Sequence, residues 1–123
     1  MSIKLLFKIQ VLTLALSALV SCSTLNKNEC LNADWSTIGY QDGFQGKLRS
    51  RIAKHRKACT EYGVKPILDQ YLVGYEEGLV EYCQPARGYR RGLLGYNNKQ
   101  LCNGAPHKPY TDAYRYGYDI YIN

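Results

Sequence analysis

The stretch Pro66-Ile-Leu-Asp-Gln-Tyr-Leu-Val-Gly-Tyr-Glu-Glu-Gly-Leu-Val-Glu-Tyr82 decides the fold class. Within it Leu68, Leu72, Tyr75, Leu79 and Tyr82 recur at helical spacing and form one apolar stripe. Pro66 suits a first helical turn, so the spacing predicts a helix over 66–82, stopped by Gln84-Pro85. Outward from there, Gly63 suits the residue closing a preceding helix over 51–62, with Ser50 as its cap. Further upstream, Asn32 or Asp34 can cap a helix that begins near Trp35 and is weakened by Gly43 and Gly46. Downstream, residues 87–97 carry three glycines and no clean period, and Thr111 or Asp112 can start a last short helix through residue 121. No segment alternates as a strand does. The chain reads as all-α, a small disulfide-stapled domain of about four short helices.

A motif recurs across these segments. Gly39-Tyr40-Gln41-Asp42-Gly43, Gly74-Tyr75-Glu76-Glu77-Gly78 and Gly88-Tyr89-Arg90-Arg91-Gly92 share the form G-Y-x-x-G, and Gly117-Tyr118 begins a fourth copy. The spacing of the copies is irregular, which excludes a solenoid of fixed period. Glycines four apart lie on one helix face and let another segment approach closely. The expectation is that tyrosines from one segment cover glycine grooves on another.

Composition agrees with a compact domain of unusual make-up. The chain has 123 residues, with 12 Tyr, 11 Gly and 5 Cys against 2 Phe and 1 Trp. A hydrophobic content of 46% excludes an acidic disordered chain, and a mean hydropathy of −0.37 excludes a multi-span membrane protein.

The N-terminus reads as an address. Lys4 and Lys8 precede an apolar run over 9–20, whose twelve helical residues would reach about 18 Å, short of the roughly 30 Å hydrocarbon core. A signal peptide is therefore preferred to a membrane span. The run ends Leu19-Val20-Ser21-Cys22, which resembles a bacterial lipobox and implies lipidation of Cys22 and cleavage before it. Ser23 rather than Asp follows, so outer-membrane sorting is the expectation, with the domain facing the periplasm. On this reading residues 1–21 are the leader, 22–31 the lipidated cysteine and tether, and 32–123 the domain. Loss of Lys4 and Lys8 lowers the net charge from +6 to +4.

With Cys22 assigned to lipid, Cys30, Cys59, Cys83 and Cys102 remain, an even number in an oxidising compartment. Three pairings are open; Cys30–Cys59 with Cys83–Cys102 is favoured because each joins neighbours across one turn-containing segment. His55 and Cys59 stand four apart, as a helical metal pair would, but no second ligand pair accompanies them, and neither a metal nor a cofactor is expected.

Together Asp34-Trp35, Gly39-x-x-Asp42-Gly43-x-x-Gly46, His55-x-x-x-Cys59, Gly63 with Pro66, Tyr71-x-x-Gly74, Gly78-Leu79, Tyr82-Cys83, Gly92, Gly95-Tyr96, Cys102 and Tyr114-x-x-Gly117 form an ordered pattern. This pattern resembles the bacterial lipoprotein family catalogued as domain of unknown function 2799. The resemblance implies an envelope lipoprotein with a small helical domain. It brings no activity, substrate or catalytic set.

No nucleophile elbow, zinc-protease motif, phosphate loop or dinucleotide fingerprint occurs. His107, in Pro106-His107-Lys108-Pro109, reads as part of a solvated turn. Asp42 and the pair Glu76 and Glu77 are the best carboxylates for acid–base work, and His55 is the better of the two histidines, but for Asp42 a bond to a tyrosine or a helix start is the favoured reading. Lys47, Arg49, Arg51, Lys54, Arg56 and Lys57 place six positive charges in residues 47–57 without an acid. Candidate ligand or partner residues are therefore Trp35, Asp42, His55, Lys47, Arg49, Arg51 and Lys54. The expected function is that of a non-catalytic envelope module meeting a protein, anionic lipid or peptidoglycan, and not nucleic acid. The alternative is a module that binds or processes glycan or peptidoglycan.

Overall fold

The computed structural model describes residues 24–98 and 100–123. The leader and Cys22 lie outside those residues. Among the described residues there are six α-helices and no strands: α1 (Lys27–Leu31), α2 (Trp35–Phe44), α3 (Ile52–Thr60), α4 (Leu68–Tyr82), α5 (Pro85–Leu93) and α6 (Lys108–Ile122). Single 3₁₀ turns, Arg49–Arg51 and Ala105–His107, lead into α3 and α6. The all-α reading holds, with six helices where about four were expected.

Local chemistry explains most of the ends. Asp34 caps α2 by accepting from the Ser36 and Thr37 amides at 3.0 and 3.1 Å, and those bonds, that to Thr37 foremost, hold its carboxyl below the ordinary value. Ser50 does not cap α3. It sits inside the 3₁₀ turn, and α3 starts with no side-chain cap. α4 begins at Leu68, two residues later than expected, with Pro66 outside it. Gln84-Pro85 ends α4, but Pro85 also opens α5, where its missing N–H costs nothing. The glycine-rich stretch after it is thus helical. α6 likewise opens at Lys108 with Pro109 in its first turn, ahead of Thr111.

The segment expected to be a tether is partly folded. Asn26 and Glu29 form a reciprocal capping box at 3.0 and 2.7 Å that starts α1, Cys30 is buried, and Leu25 packs on the core. Disulfides join Cys30 to Cys59 and Cys83 to Cys102, at sequence separations of 29 and 19. Closing loops of that size stabilises the fold by about 3.5 and 3 kcal/mol respectively.

The helices pack as two parallel pairs, α2 on α4 and α5 on α6. In the first pair, a methyl group at Gly39 or Gly43 would strike the carbonyl of Tyr71 or Tyr75. One at Gly74 or Gly78 would strike that of Ser36 or Tyr40. The second pair repeats this with Gly88, Gly92 and Gly117 against the carbonyls of Tyr110, Tyr114 and Tyr89. The helical glycines therefore admit the partner's backbone. Tyrosine rings, expected over all of them, cover the two turn glycines, Gly46 under Tyr82 and Gly95 under Tyr121, and among the helical glycines reach Gly88 through Tyr110. Both turn glycines have φ of +65°, a left-handed conformation that favours glycine.

These matches show one parallel helix pair built twice. Gly46 and Gly95 end the first helix of each pair with the same bonds: Lys47 N–H to the Asp42 carbonyl at 2.9 Å, and Tyr96 N–H to the Arg91 carbonyl at 3.0 Å. The Tyr75 hydroxyl donates to the Lys47 carbonyl at 2.7 Å, and Tyr114 to that of Tyr96 at 2.8 Å. Each disulfide ties the residues before a pair to the connector between its helices. The fourth G-Y copy is out of phase, because Gly117 matches Gly78 and Ala113 takes the place of Gly74. The two pairs meet where Tyr82 stacks on Tyr110 with centroids 6.4 Å apart. There the Arg87 guanidinium lies 5.7 Å from the Phe44 ring centroid and 5.1 Å from that of Tyr82. None of the helices among the described residues is long and apolar enough to cross a membrane.

Candidate functional site

The structure divides the candidate residues between the core and one surface. Trp35, Asp42 and His55 are buried, exposed at 3%, 8% and 5% respectively, so Trp35 packs in the core and offers no ring to a ligand. α2 and α3 bring Asp42 and His55 together, with His55 Nε2 2.8 Å from Asp42 Oδ2. The Tyr71 hydroxyl, carried by α4, donates to the same oxygen at 2.8 Å. The His55 and Tyr71 rings meet edge-on, with centroids 6.2 Å apart. A carboxylate accepts only, so His55 presents Nε2–H to it, while Nδ1 is buried without a protein partner. Cys59, the other half of the spacing that suggested a metal, is bonded to Cys30.

This arrangement ties three helices together. It has the orientation of an acid–base dyad, yet neither Asp42 nor His55 lines any of five surface grooves among the described residues. The tyrosine partner was foreseeable in kind, since an internal carboxylate in a tyrosine-rich chain needs a donor. Its position was not, because Tyr71 is 29 residues away.

In the second helix pair Arg91 takes the position of Asp42 and Tyr110 that of Tyr71. Burial pushes the phenols of Tyr71, Tyr75 and Tyr110 above their ordinary value of 10.0. The Asp42 carboxylate adds to the rise at Tyr71, whereas the guanidiniums of Arg49 and Arg91 oppose it at Tyr75 and Tyr110 respectively. Such groups leave stability intact below the unfolded pKa. Stability is lost as pH rises from there through the folded value, because the unfolded chain releases protons the fold retains; each group adds about 1.4 kcal/mol per pH unit. The expected result is cooperative alkaline unfolding beginning above about pH 10, with buried phenolate absorbance and loss of helical circular dichroism appearing together. Ionisation of every tyrosine with the helices retained would contradict this.

The cations gather outside this core. Lys47, Ser50, Arg51 and Lys54 line an open groove of about 440 Å³ with Gly46 and Leu48. Arg49 turns away to an ion pair with Glu76 and lies 5.8 Å from the Tyr75 ring centroid. A neighbouring groove of about 510 Å³ is formed by Thr24, Lys54, Lys57, Ala58 and Glu61. Sequence reasoning missed a third groove, of about 470 Å³, where the two helix pairs meet; Phe44, Glu81, Arg87, Arg90, Arg91 and Tyr96 line much of it. Its signal was the cationic cluster Arg87, Arg90 and Arg91, which the ambiguous glycine-rich stretch concealed. Among the described residues no cluster of His, Cys, Asp and Glu is arranged to hold a metal ion.

Fold and site thus define a small disulfide-locked helical domain with a sealed polar core and a basic surface. The chain belongs to a family described as a protein of unknown function, DUF2799, whose sequence pattern matches residues 34–119. No curated protein matches the chain. No solved structure matches it either.

Proposed function

We propose that this protein is a non-catalytic lipoprotein of the outer membrane, anchored through acylated Cys22, whose domain binds an anionic envelope component. The observation that carries this reading is the separation of roles among the candidate residues. Asp42 and His55 are sealed under α3, while Lys47, Arg51 and Lys54 share one open surface. The lipobox-like Leu19-Val20-Ser21-Cys22 supports the anchor, and two or three acyl chains suffice for stable membrane attachment. The pair of disulfides is consistent with the oxidising periplasm. A glycan-processing module would instead need its acid–base pair at an open cleft.

The anchor has a direct test. The N-terminal peptide of the membrane-extracted protein is expected to begin at Cys22 and to carry the mass of its acyl chains. The Cys22→Ser variant should lack that mass and lose most of its membrane association. A wild-type N-terminal peptide with a free Cys22 thiol, or one still carrying residues 1–21, would overturn the reading.

A further inference from the structure

We propose that the basic face of α3 rests on the anionic phosphate headgroups of the leaflet that holds Cys22. This rests on the lipid anchor proposed above and names the partner of that same surface. Three observations lead to it. First, Thr24 stands two residues after Cys22 and lines a groove with Lys54 and Lys57. Two residues of fully extended chain span at most about 7 Å, so the acylated residue lies closer to Thr24 than the roughly 8 Å Debye length at physiological ionic strength. The edge of the groove at Thr24 is therefore held where headgroup charge is weakly screened, and Lys54 and Lys57 line that same groove.

Second, the charge is continuous. Lys54 lines both this groove and the one formed with Lys47, Ser50 and Arg51. The joined surface carries Lys47, Arg51, Lys54 and Lys57 against one carboxylate, Glu61, at its far end. Third, Leu48 stands among these cations with 59% of its surface exposed. An apolar side chain ringed by lysine and arginine suits the boundary between headgroups and acyl chains. A surface joined to its own acyl chains by two residues meets the bilayer before it can meet the cell wall.

The test uses the lipidated protein reconstituted in vesicles of phosphatidylcholine, alone or mixed with phosphatidylglycerol, with amine-reactive labelling read lysine by lysine. Lys47, Lys54 and Lys57 are expected to react about fivefold more slowly on the anionic vesicles at low salt. Lys108, at the start of α6, should react equally on both. High salt should remove the protection, and so should Lys54→Glu with Lys57→Glu, both at exposed positions. Equal labelling on the two vesicles, with acyl mass present on Cys22, overturns the docking and leaves the anchor standing. Absence of acyl mass overturns both. Protection of these lysines by isolated cell-wall sacculi, but not by anionic vesicles, also overturns the docking and assigns the face to the wall.

Discussion

Replacing Gly74 by alanine is expected to destabilise the domain by about 3 kcal/mol, the upper end of ordinary overpacking costs. The added methyl would collide with the Ser36 carbonyl and its Cα, which belong to a helix backbone and cannot swing aside as a side chain does. Relief requires α2 and α4 to separate, which also loosens the contacts of Gly39, Gly43 and Gly78. That strain must exceed the roughly 1 kcal/mol that alanine gains over glycine in a helix interior. For a domain of this size the fall in Tm should be about 15 °C, measured by thermal circular dichroism. Gly63→Ala is the control. A methyl there meets nothing within 4 Å, and its φ of +71° leaves only a left-handed penalty, about 1 kcal/mol. Equal losses at the two positions would show that close backbone approach is not what holds the pair.

Asp42→Ala is expected to cost about 3–4 kcal/mol, because it strands two buried donors at once, the His55 ring N–H and the Tyr71 hydroxyl. Tyr71→Phe removes one donor and leaves the other bond to Asp42, so its cost should be nearer 1.5 kcal/mol. The two changes share a partner and should fail to add, with a coupling of at least about 0.5 kcal/mol in urea denaturation. Additive losses, or a cost at Asp42 below about 1 kcal/mol, would show that the residues do not act as a buried network.

Much of the fold could be read locally. Asp34 and Gly63 are where a cap and a helix stop belong. The expected stripe finds the buried face of α4 at Tyr75, Leu79 and Tyr82, but Leu68 is exposed and Tyr71, outside the stripe, is fully buried. Pro85 was read only as a stop, since a proline ends one helix and begins the next with equal chemical ease. The second helix pair was obscured by its glycines, which lower helix propensity in a stretch that α6 packs against. Its repeat was hidden as well. The connectors over 45–67 and 94–107 differ in length, and Ala113 stands where the first pair has Gly74.

The candidate site was legible as a set of residue types and not as an arrangement. Charge alone placed the cationic stretch on the surface, since unpaired lysines do not bury. Nothing local told Trp35, Asp42 and His55 from exposed ligand residues, because their burial depends on α3 and α4 closing over them.

By itself, the amino-acid order determined the helical class, the even set of domain cysteines and the concentration of positive charge over 47–57. These follow from properties each residue carries into any context: rotational preference, thiol chemistry and formal charge. The tertiary structure alone decided which helices pair, that the helical glycines admit a partner's backbone, and that one parallel helix pair is built twice. It also divided the candidates between a sealed core and a basic face beside Thr24. Each of those outcomes depends on distances between residues far apart in the chain, and only packing sets such distances.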